Sequence, residues 1–409
     1  MNIWLINHYA VPPKYYPLAR TTNFAKYLMR MGHTVTIFAA SSVHNSDINL
    51  ITDGQAWREE TVDGVHYVYV RCRSYTGNGK QRIINMFEFP HRLKKVCRHF
   101  SRPDAVLASS ATPPACMAGL DIAKGYGAKA LAEVSDLWPR SFIEYGFFSA
   151  SNPVLIPMYA YEKRMYQKAD ALIFTMEGAY DYIVEQGWEK EIPRSKVHYI
   201  NNGVDLEQFD YNKEHFRVED ADLDEPDTYK IIYVGSLRKA NDQIFLLMDA
   251  IGLMQGDEFQ NYRFLIYGKG ELQHQLQEIC EQRQYTNVRF KGFIEKKYIP
   301  YILSRCDLNV LNCASNPILR YGGSQNKLFD YLASGHPVLS GENGRYSVVA
   351  REGCGICREM SSPEAVVAAI REIQQEQPSA EHIRKVAEQY DFKTLTKKLL
   401  AIIEGREHV

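Results

Sequence analysis

Short apolar runs alternate with longer stretches in which apolar positions recur every three or four residues, and the alternation continues along the whole chain. The short runs fit strands buried on both faces, and the longer stretches fit helices laid against those faces. Together they predict an α/β protein with parallel sheets covered on both sides. In the first half the predicted strands lie at 2–7, 33–38, 65–70, 104–109, 128–134, 170–175 and 197–200. Phe24, Leu28 and Met31 share one face of the first helix, and Gly32 follows where that helix should end. The pattern restarts in the second half, with strands at 230–236, 262–268, 288–293, 307–313, 336–341 and 355–358, then helices near 363–375, 380–389 and 393–404.

Between the halves the pattern lapses into a polar, acidic stretch, read as an interdomain connection over 204–228. The expected organisation is a domain at 1–203, that connection, a second domain at 229–390, and a last helix at 391–409 able to cross back to the first domain. The length of 409 residues suits two domains of about 200 each. Two doubly wound domains in series form a cleft between the carboxyl ends of their sheets, and ligands bind outside those ends where strand order reverses. That rule selects the loops to inspect.

With 45% hydrophobic and 24% charged residues, the chain is globular and can bury two cores. A formal net charge of −1 argues against nucleic acid as a partner. The balance is uneven, though. Residues 1–200 carry 23 Lys+Arg against 18 Asp+Glu, a net of +5, which leaves 25 against 31, a net of −6, in the rest. The eight cysteines are scattered, mostly inside apolar runs, as reduced core thiols of a cytosolic protein would be. No stretch reaches the roughly 18 apolar residues needed to span a bilayer. "MNIWLINHY" reads as a first strand rather than a leader. A cytoplasmic protein able to rest on the inner face of the cell membrane is expected.

After the first strand, two prolines and several tyrosines precede a helix with Arg20 in its first turn. A cation there opposes the helix dipole. It is either the receiver of an anionic ligand, with nearby N–H groups, or a solvated arginine beside a stiff loop. In "EVSDLWPRS", Asp136 falls just past a strand's carboxyl end, with Trp138 and Arg140 after it. This carboxylate is an acid/base or hydroxyl-binding group, or else a helix cap. In the second half, Gly235, Ser236, Arg238, Lys239 and Asn241 follow a strand and resemble a diphosphate cradle. Gly268 and Gly270 follow the next strand and permit close approach of a base or ribose. Gln273 stands where a dinucleotide fingerprint needs its third glycine. Gly292 ends the third strand. Then "YGGSQNKLFDYLASG" sets Gly322, Gly323 and Ser324 before a helix over 325–334, with Lys327 in its first turn and Asp330 one turn along. A yielding loop, a helix N-terminus, a cation and a carboxylate able to accept from ribose hydroxyls suit a nucleoside diphosphate.

Three patterns mislead. "DADLD" at 220–224 imitates a metal-binding Asp-x-Asp but sits in the connection, so a solvated acidic run is expected. Cys354 and Cys357 have Cys-x-x-Cys spacing without a second pair nearby. No Gly-Lys-Ser/Thr phosphate loop occurs. The basic excess concentrates at 80–102, where seven Lys+Arg stand against Glu88 among Ile83, Ile84, Met86, Phe87, Phe89, Leu93, Val96 and Phe100. That mixture suits a helix lying on anionic lipid, or a core-packed helix pair with a solvated basic face.

The motifs "LARTTNFAKYLMRMGHTVTIF", "INNGVDLEQF", "YVGSL", "LIYGKGEL", "VRFKGF" and "NKLFDYLASGHPVL" together resemble a family 4 glycosyltransferase, and "EVSDLWPRS" is similar to the N-acetyl-amino-sugar transferases of bacterial O-antigen and capsule assembly. The resemblance implies the GT-B fold of two Rossmann-like domains. It also implies retaining transfer of a sugar from a nucleoside-diphosphate donor to a glycan or polyprenyl-diphosphate-linked acceptor, with no metal or other cofactor. Donor contacts would come from the second domain and acceptor contacts from the first. The pair of glutamates usual in the family falls on Gly322 and Asp330, its diphosphate Arg and Lys on Ser236 and Asn241, and its first-domain His on Ser135. Arg238, Lys239, Lys327 and Arg320 are the cations open to replace the second pair, and Asp136 is the candidate left nearest the third. The Gly322 departure keeps open a noncatalytic subunit of the same fold that binds nucleotide or lipid-linked glycan. A sugar-nucleotide epimerase of that fold is a third reading, which these motifs do not favour.

Overall fold

The computed structural model describes residues 1–15, 19–77, 79–238, 243–313, 316–342, 344–376 and 378–406. They fall into two compact units, one formed by Met1–Asn201 with the segment from Phe392 onward, the other by Asn202–Asp391.

The first unit is built on eight strands: β1 (Asn2–Ile6), β2 (Thr34–Ala40), β3 (Trp57–Val62), β4 (Val65–Val70), β5 (Ala105–Ser109), β6 (Lys129–Val134), β7 (Ala171–Phe174) and β8 (Val197–Tyr199). Their order is β3-β4-β2-β1-β5-β6-β7-β8, so the winding reverses between β1 and β5. Neighbours are parallel except β3 and β4, which form an antiparallel hairpin. The strand expectation omits β3, because "WREETV" is half charged and lacks an apolar run. Its signal is the turn: Asp63 and Gly64 both hold positive φ (51° and 80°), as a two-residue Asp-Gly hairpin requires. A charged strand at the sheet's edge also discourages pairing with another chain.

The helix Arg20–Arg30 turns Phe24, Ala25, Tyr27 and Leu28 inward. The last helix, Phe392–Glu404, packs into the same core through Leu395, Leu399, Ile402 and Ile403. Phe392 meets Phe24 edge to face, with ring centroids 5.6 Å apart. Each such fully buried side chain is worth about 1.5–3 kcal/mol, which fastens the chain's end to this unit.

The second unit has six parallel strands: β9 (Tyr229–Val234), β10 (Tyr262–Tyr267), β11 (Val288–Gly292), β12 (Leu308–Asn312), β13 (Val338–Ser340) and β14 (Gly355–Cys357). Their order is β11-β10-β9-β12-β13-β14. Alternate residues serve opposite faces: Ile231, Tyr233, Phe264 and Ile266 enter one core, and Ile232, Leu265 and Tyr267 the other. The stretch 204–228 does not behave as a bare connection. Asp205 caps the helix Leu206–His215 by accepting from the Gln208 N–H, and Leu206, Phe209 and Leu223 are buried in this unit's core. With Val204, these are four anchors, too few in an otherwise polar segment to show as periodicity.

Winding reverses between β9 and β12. These strands pair only at Ile231↔Leu308 and Ile232↔Asn309, then part. The gap is bridged by a side chain. Tyr331, on the helix Asn326–Ser334, accepts from the Val234 N–H at 3.0 Å and lies 3.3 Å from the Val310 carbonyl oxygen. The Tyr331→Phe variant leaves that N–H without its partner and is expected to destabilise the second unit by about 1–3 kcal/mol in urea unfolding.

Candidate functional site

The reversal in the second unit gathers the loops that follow β9, β10, β11 and β12 at one end of its sheet. Gly235 donates its N–H to the Tyr267 carbonyl, and Leu237 to that of Lys269. The glycines after β10 make this packing feasible. Gly268 holds φ at +148°, and a Cβ there would fall 1.8 Å from the Gly235 oxygen; one on Gly270 would fall 2.2 Å from the Leu237 oxygen. The approach that these two glycines are seen to permit is that of the protein's own backbone. Gly292 stands at the end of β11 with positive φ and accepts from the Gly268 N–H at 2.7 Å. The Ser236 carbonyl receives the Tyr233 hydroxyl at 3.4 Å. Arg238 is exposed and makes no ion pair among the described residues. Lys239 and Asn241 lie outside the described residues.

After β12, Gly322 closes a turn by donating to the Leu319 carbonyl at 2.8 Å. Ser324 is tied to Asn202, whose amide donates to its carbonyl at 2.7 Å. The helix Asn326–Ser334 begins without a side-chain cap, and the buried Gln325 Oε1 just before it has no partner. Lys327 lies in its first turn, with Nζ 4.1 Å from the Tyr233 ring centroid. It makes no ion pair among the described residues. Burial lowers its ammonium to about 7, against the weaker pull of Cys313 and Glu342. One turn on, burial raises the Asp330 carboxyl while Lys296, at 3.9 Å, opposes the shift. Arg320 is held by Tyr321, donating to its hydroxyl at 2.7 Å.

Sequence reasoning overlooked Glu342. It follows β13, is 5% exposed, and accepts from the Asn312 amide at 3.4 Å. Burial lifts its carboxyl to about 7. The signal was there to use, since a carboxylate two residues past a strand's carboxyl end is the same criterion that selects Asp136.

In the first unit, Asp136 reaches solvent two residues past β6, yet the surrounding loop desolvates its carboxyl and raises it, with the Ser135 hydroxyl opposing. Trp138 packs edge to face on Phe142 at 4.7 Å, and Arg140 pairs with Glu144 at 2.6 Å. Arg20 is not the solvated arginine of one reading, and the receiver of an anion in the other finds an anion of the protein's own. Its Nε donates to the buried Glu133 at 2.8 Å, and the guanidinium also donates to the carbonyls of Ile200 and Asn201. It joins the end of β6 to the end of the unit. His8, after β1, sits 2.7 Å from Asn85 Oδ1 and 3.2 Å from the Thr112 hydroxyl. Asn85 spends its amide on Ser42 and the Arg73 carbonyl, so the His8 Nε2 carries the proton, and burial lowers the ring to about 4.

The misleading patterns find structural partners. Asp220 and Asp222 both pair with Lys291, Asp222 also with Arg289, and Asp224 with Arg305, so this is an ion-pair cluster rather than a solvated run. Cys354 and Cys357 are free thiols. The basic segment forms the helix Lys80–Val96, which buries Asn85, Phe89, Leu93 and Val96 but exposes Ile83, Ile84 and Phe87. No helix among the described residues is long and apolar enough to cross a membrane.

A model described as Glycosyltransferase Family 4 matches residues 19–208, and one described as Glycosyl transferases group 1 matches residues 216–390. No curated protein matches by sequence. Among solved structures, WaaG, described as a glycosyltransferase involved in lipopolysaccharide biosynthesis, is 14% identical with a TM-score of 0.62, over 99% of this chain and 100% of that one. The lipopolysaccharide outer core galactosyltransferase WaaB is 12% identical with a TM-score of 0.62 over the whole of both chains. A trehalose-6-phosphate structure from E. coli, bound with UDP-2-fluoro glucose, is 10% identical with a TM-score of 0.68 over 99% of both. Likeness at such identities is one of fold, and the fold is GT-B.

Lys327 yields a stability test. Its folded value near 7 lies below the ordinary 10.5, so the unfolded chain binds the extra proton between those limits and stability rises with pH there. Lys327→Met should therefore be more stable than the parent, most so below pH 7, with the advantage shrinking as pH climbs from 7 towards 10.5. Urea unfolding at pH 6 and pH 9 reads the difference.

Proposed function

The chain belongs to glycosyltransferase family 4 and is a sugar transferase, and we propose that it moves a hexosyl or N-acetylhexosaminyl group from a UDP-linked donor, with retention and without metal, to a hydroxyl of a glycan or lipid-linked acceptor in bacterial surface polysaccharide assembly. One observation carries this reading. Lys327 and the uncapped N-terminus of the helix Asn326–Ser334 meet at the winding reversal, with no anion paired to the amine among the described residues. A helix N-terminus and a cation together take the charge that a departing diphosphate develops, which is the task a metal performs elsewhere. Asp330, one turn along and in only a long contact with Lys296, is assigned as the acceptor for ribose hydroxyls. Arg238 is assigned as a second cation for the same diphosphate, and Lys239 and Asn241 are assigned to the donor from the sequence alone. Retention follows from the family resemblance of the motifs.

The UDP assignment is supported by the E. coli neighbour that holds UDP-2-fluoro glucose, and the surface-polysaccharide setting by WaaG and WaaB. In the first unit, Asp136 is assigned to the reacting hydroxyl, because a raised carboxyl accessible to solvent can exchange a proton or hold a hydroxyl. Trp138 and Arg140 shape its loop on the acceptor side. The exposed Ile83, Ile84 and Phe87, on a helix carrying Lys94, Lys95 and Arg92, suit peripheral contact with an anionic membrane on its cytoplasmic face. The second reading, a noncatalytic binder, is favoured by Gly322 alone, and measured donor turnover excludes it.

Thermal unfolding of the full chain with UDP, GDP, ADP, dTDP or NAD, each with and without EDTA, tests the donor site. UDP alone should stabilise, equally in EDTA, and Asp330→Ala should weaken UDP binding about tenfold to hundredfold, as loss of a charge-assisted hydrogen bond does. Stabilisation by none of them defeats the proposal. For the membrane, the chain should float with phosphatidylglycerol vesicles at low salt and not with phosphatidylcholine. Phe87→Asp should abolish flotation, and retention by both vesicle types would point to another surface.

A further inference from the structure

The loop from Asn316 to Gln325 contains no carboxylate, yet one stands against it. An added Cβ on Gly323 would meet Glu342 Oε1 at 3.0 Å and Oε2 at 3.4 Å, so both carboxylate oxygens face the glycine loop and any larger residue there would crowd them. Glu342 comes from the far end of β13, and its placement is imposed from beneath. Asn312, at the end of β12, accepts the Gly341 N–H at 2.7 Å and the Ser340 hydroxyl at 3.0 Å through its carbonyl. Its amide then donates to Glu342 Oε1 at 3.4 Å. A buried asparagine therefore fixes the turn that presents the carboxylate.

This carboxylate is under-used. An ionised carboxylate offers roughly four acceptor positions, and a buried one left unsatisfied is costly. Glu342 is nearly inaccessible, receives one long hydrogen bond, and makes no ion pair among the described residues. Lys327 is close enough for each charge to influence the other, but the two do not touch as an ion pair. A buried base and a buried acid held apart at the end of one sheet leave polar capacity for something between them.

The strand order gives that capacity a direction. Asp330 is approached by Lys296, from the segment after β11; Lys327 lies over Tyr233 of β9; Glu342 follows β13. Along β11-β10-β9-β12-β13 these groups come in the sequence ribose acceptor, diphosphate cation, second carboxylate. A nucleoside-diphosphate sugar has the same succession, with the sugar beyond the diphosphate.

We propose that Glu342, positioned by Asn312, is the group that receives the hydroxyls of the donor's sugar, through hydrogen bonds to its carboxylate beside Gly323. The assignment rests on the donor-site reading above and extends it to the sugar. It makes Glu342 a determinant of sugar recognition with no part in holding the nucleotide.

Calorimetric titration of the full chain with UDP and with UDP-glucose, UDP-galactose and UDP-N-acetylglucosamine, in wild type and Glu342→Gln, decides the matter. UDP affinity should change by less than about twofold, while the preferred UDP-sugar should lose its added affinity, about tenfold, and turn over at a rate lowered by about a hundredfold or more. Glu342→Asp, which keeps the charge but withdraws it by one methylene, should fall between and serves if the glutamine variant unfolds. Asn312→Asp should raise KM for the UDP-sugar and leave UDP binding intact. Equal weakening of UDP and UDP-sugar, or no weakening of either, overturns the assignment of Glu342 while leaving the donor site standing. Failure of wild type to bind UDP or any UDP-sugar overturns both.

Discussion

A single phenolic oxygen decides how the second unit opens. β9 and β12 run side by side for two residues and then separate, which would leave the Val234 N–H without a partner in the middle of a sheet. The Tyr331 hydroxyl supplies that partner and reaches the Val310 carbonyl on the other strand. The helix Asn326–Ser334 is thereby fastened at the parting of the strands, with Leu328, Phe329 and Leu332 buried along the same side. Lys327 is one turn before the anchoring tyrosine and Asp330 immediately precedes it. Their positions follow from the bridge.

The described parts of the loops after β9 and β10 pack closely for a physical reason. Gly268 and Gly270 let the loop after β10 lie directly on the backbone of the loop after β9, and carbonyls that would face a ligand face neighbouring N–H groups instead. Among the described residues, the groups at this end include the exposed Arg238, an amine lowered by burial, two carboxyls raised by it, and an orphaned amide oxygen on Gln325. Groups displaced from their ordinary ionisation in one place make this end of the sheet a candidate site.

The first unit spends its buried polar groups differently. Arg20, Glu133 and the carbonyls of Ile200 and Asn201 form a closed set that joins distant parts of the chain. His8, Asn85 and Thr112 form another that draws the basic helix against the winding reversal. Both are largely satisfied within the protein, so they shape the surface around Asp136 and leave the exposed half of the helix Lys80–Val96 available to a partner.

Much of the architecture is local in origin and so legible in the chain. Continuous apolar runs require strands covered on both faces, helical periodicity supplies the covers, and "YGGSQNKLFDYLASG" carries a glycine turn, a helix start, a cation and a carboxylate within one short window. The exceptions share a cause. β3 pairs through an Asp-Gly turn with few apolar residues to announce it, and 204–228 enters the core on Val204, Leu206, Phe209 and Leu223. At the site, composition and spacing name the loops, but burial and partners decide what each residue does. Arg20 looks available until Glu133, 113 positions away, claims it, and Gly268 looks open until the Gly235 carbonyl fills the space. Glu342 acquires meaning only when β13 lies beside β12 and brings it against Gly323. The sequence alone determined every strand but β3, the main helices and the candidate loops, because these depend on near neighbours. Tertiary structure decided which charges are spent and which are left for a ligand, because that depends on groups the fold brings together from afar.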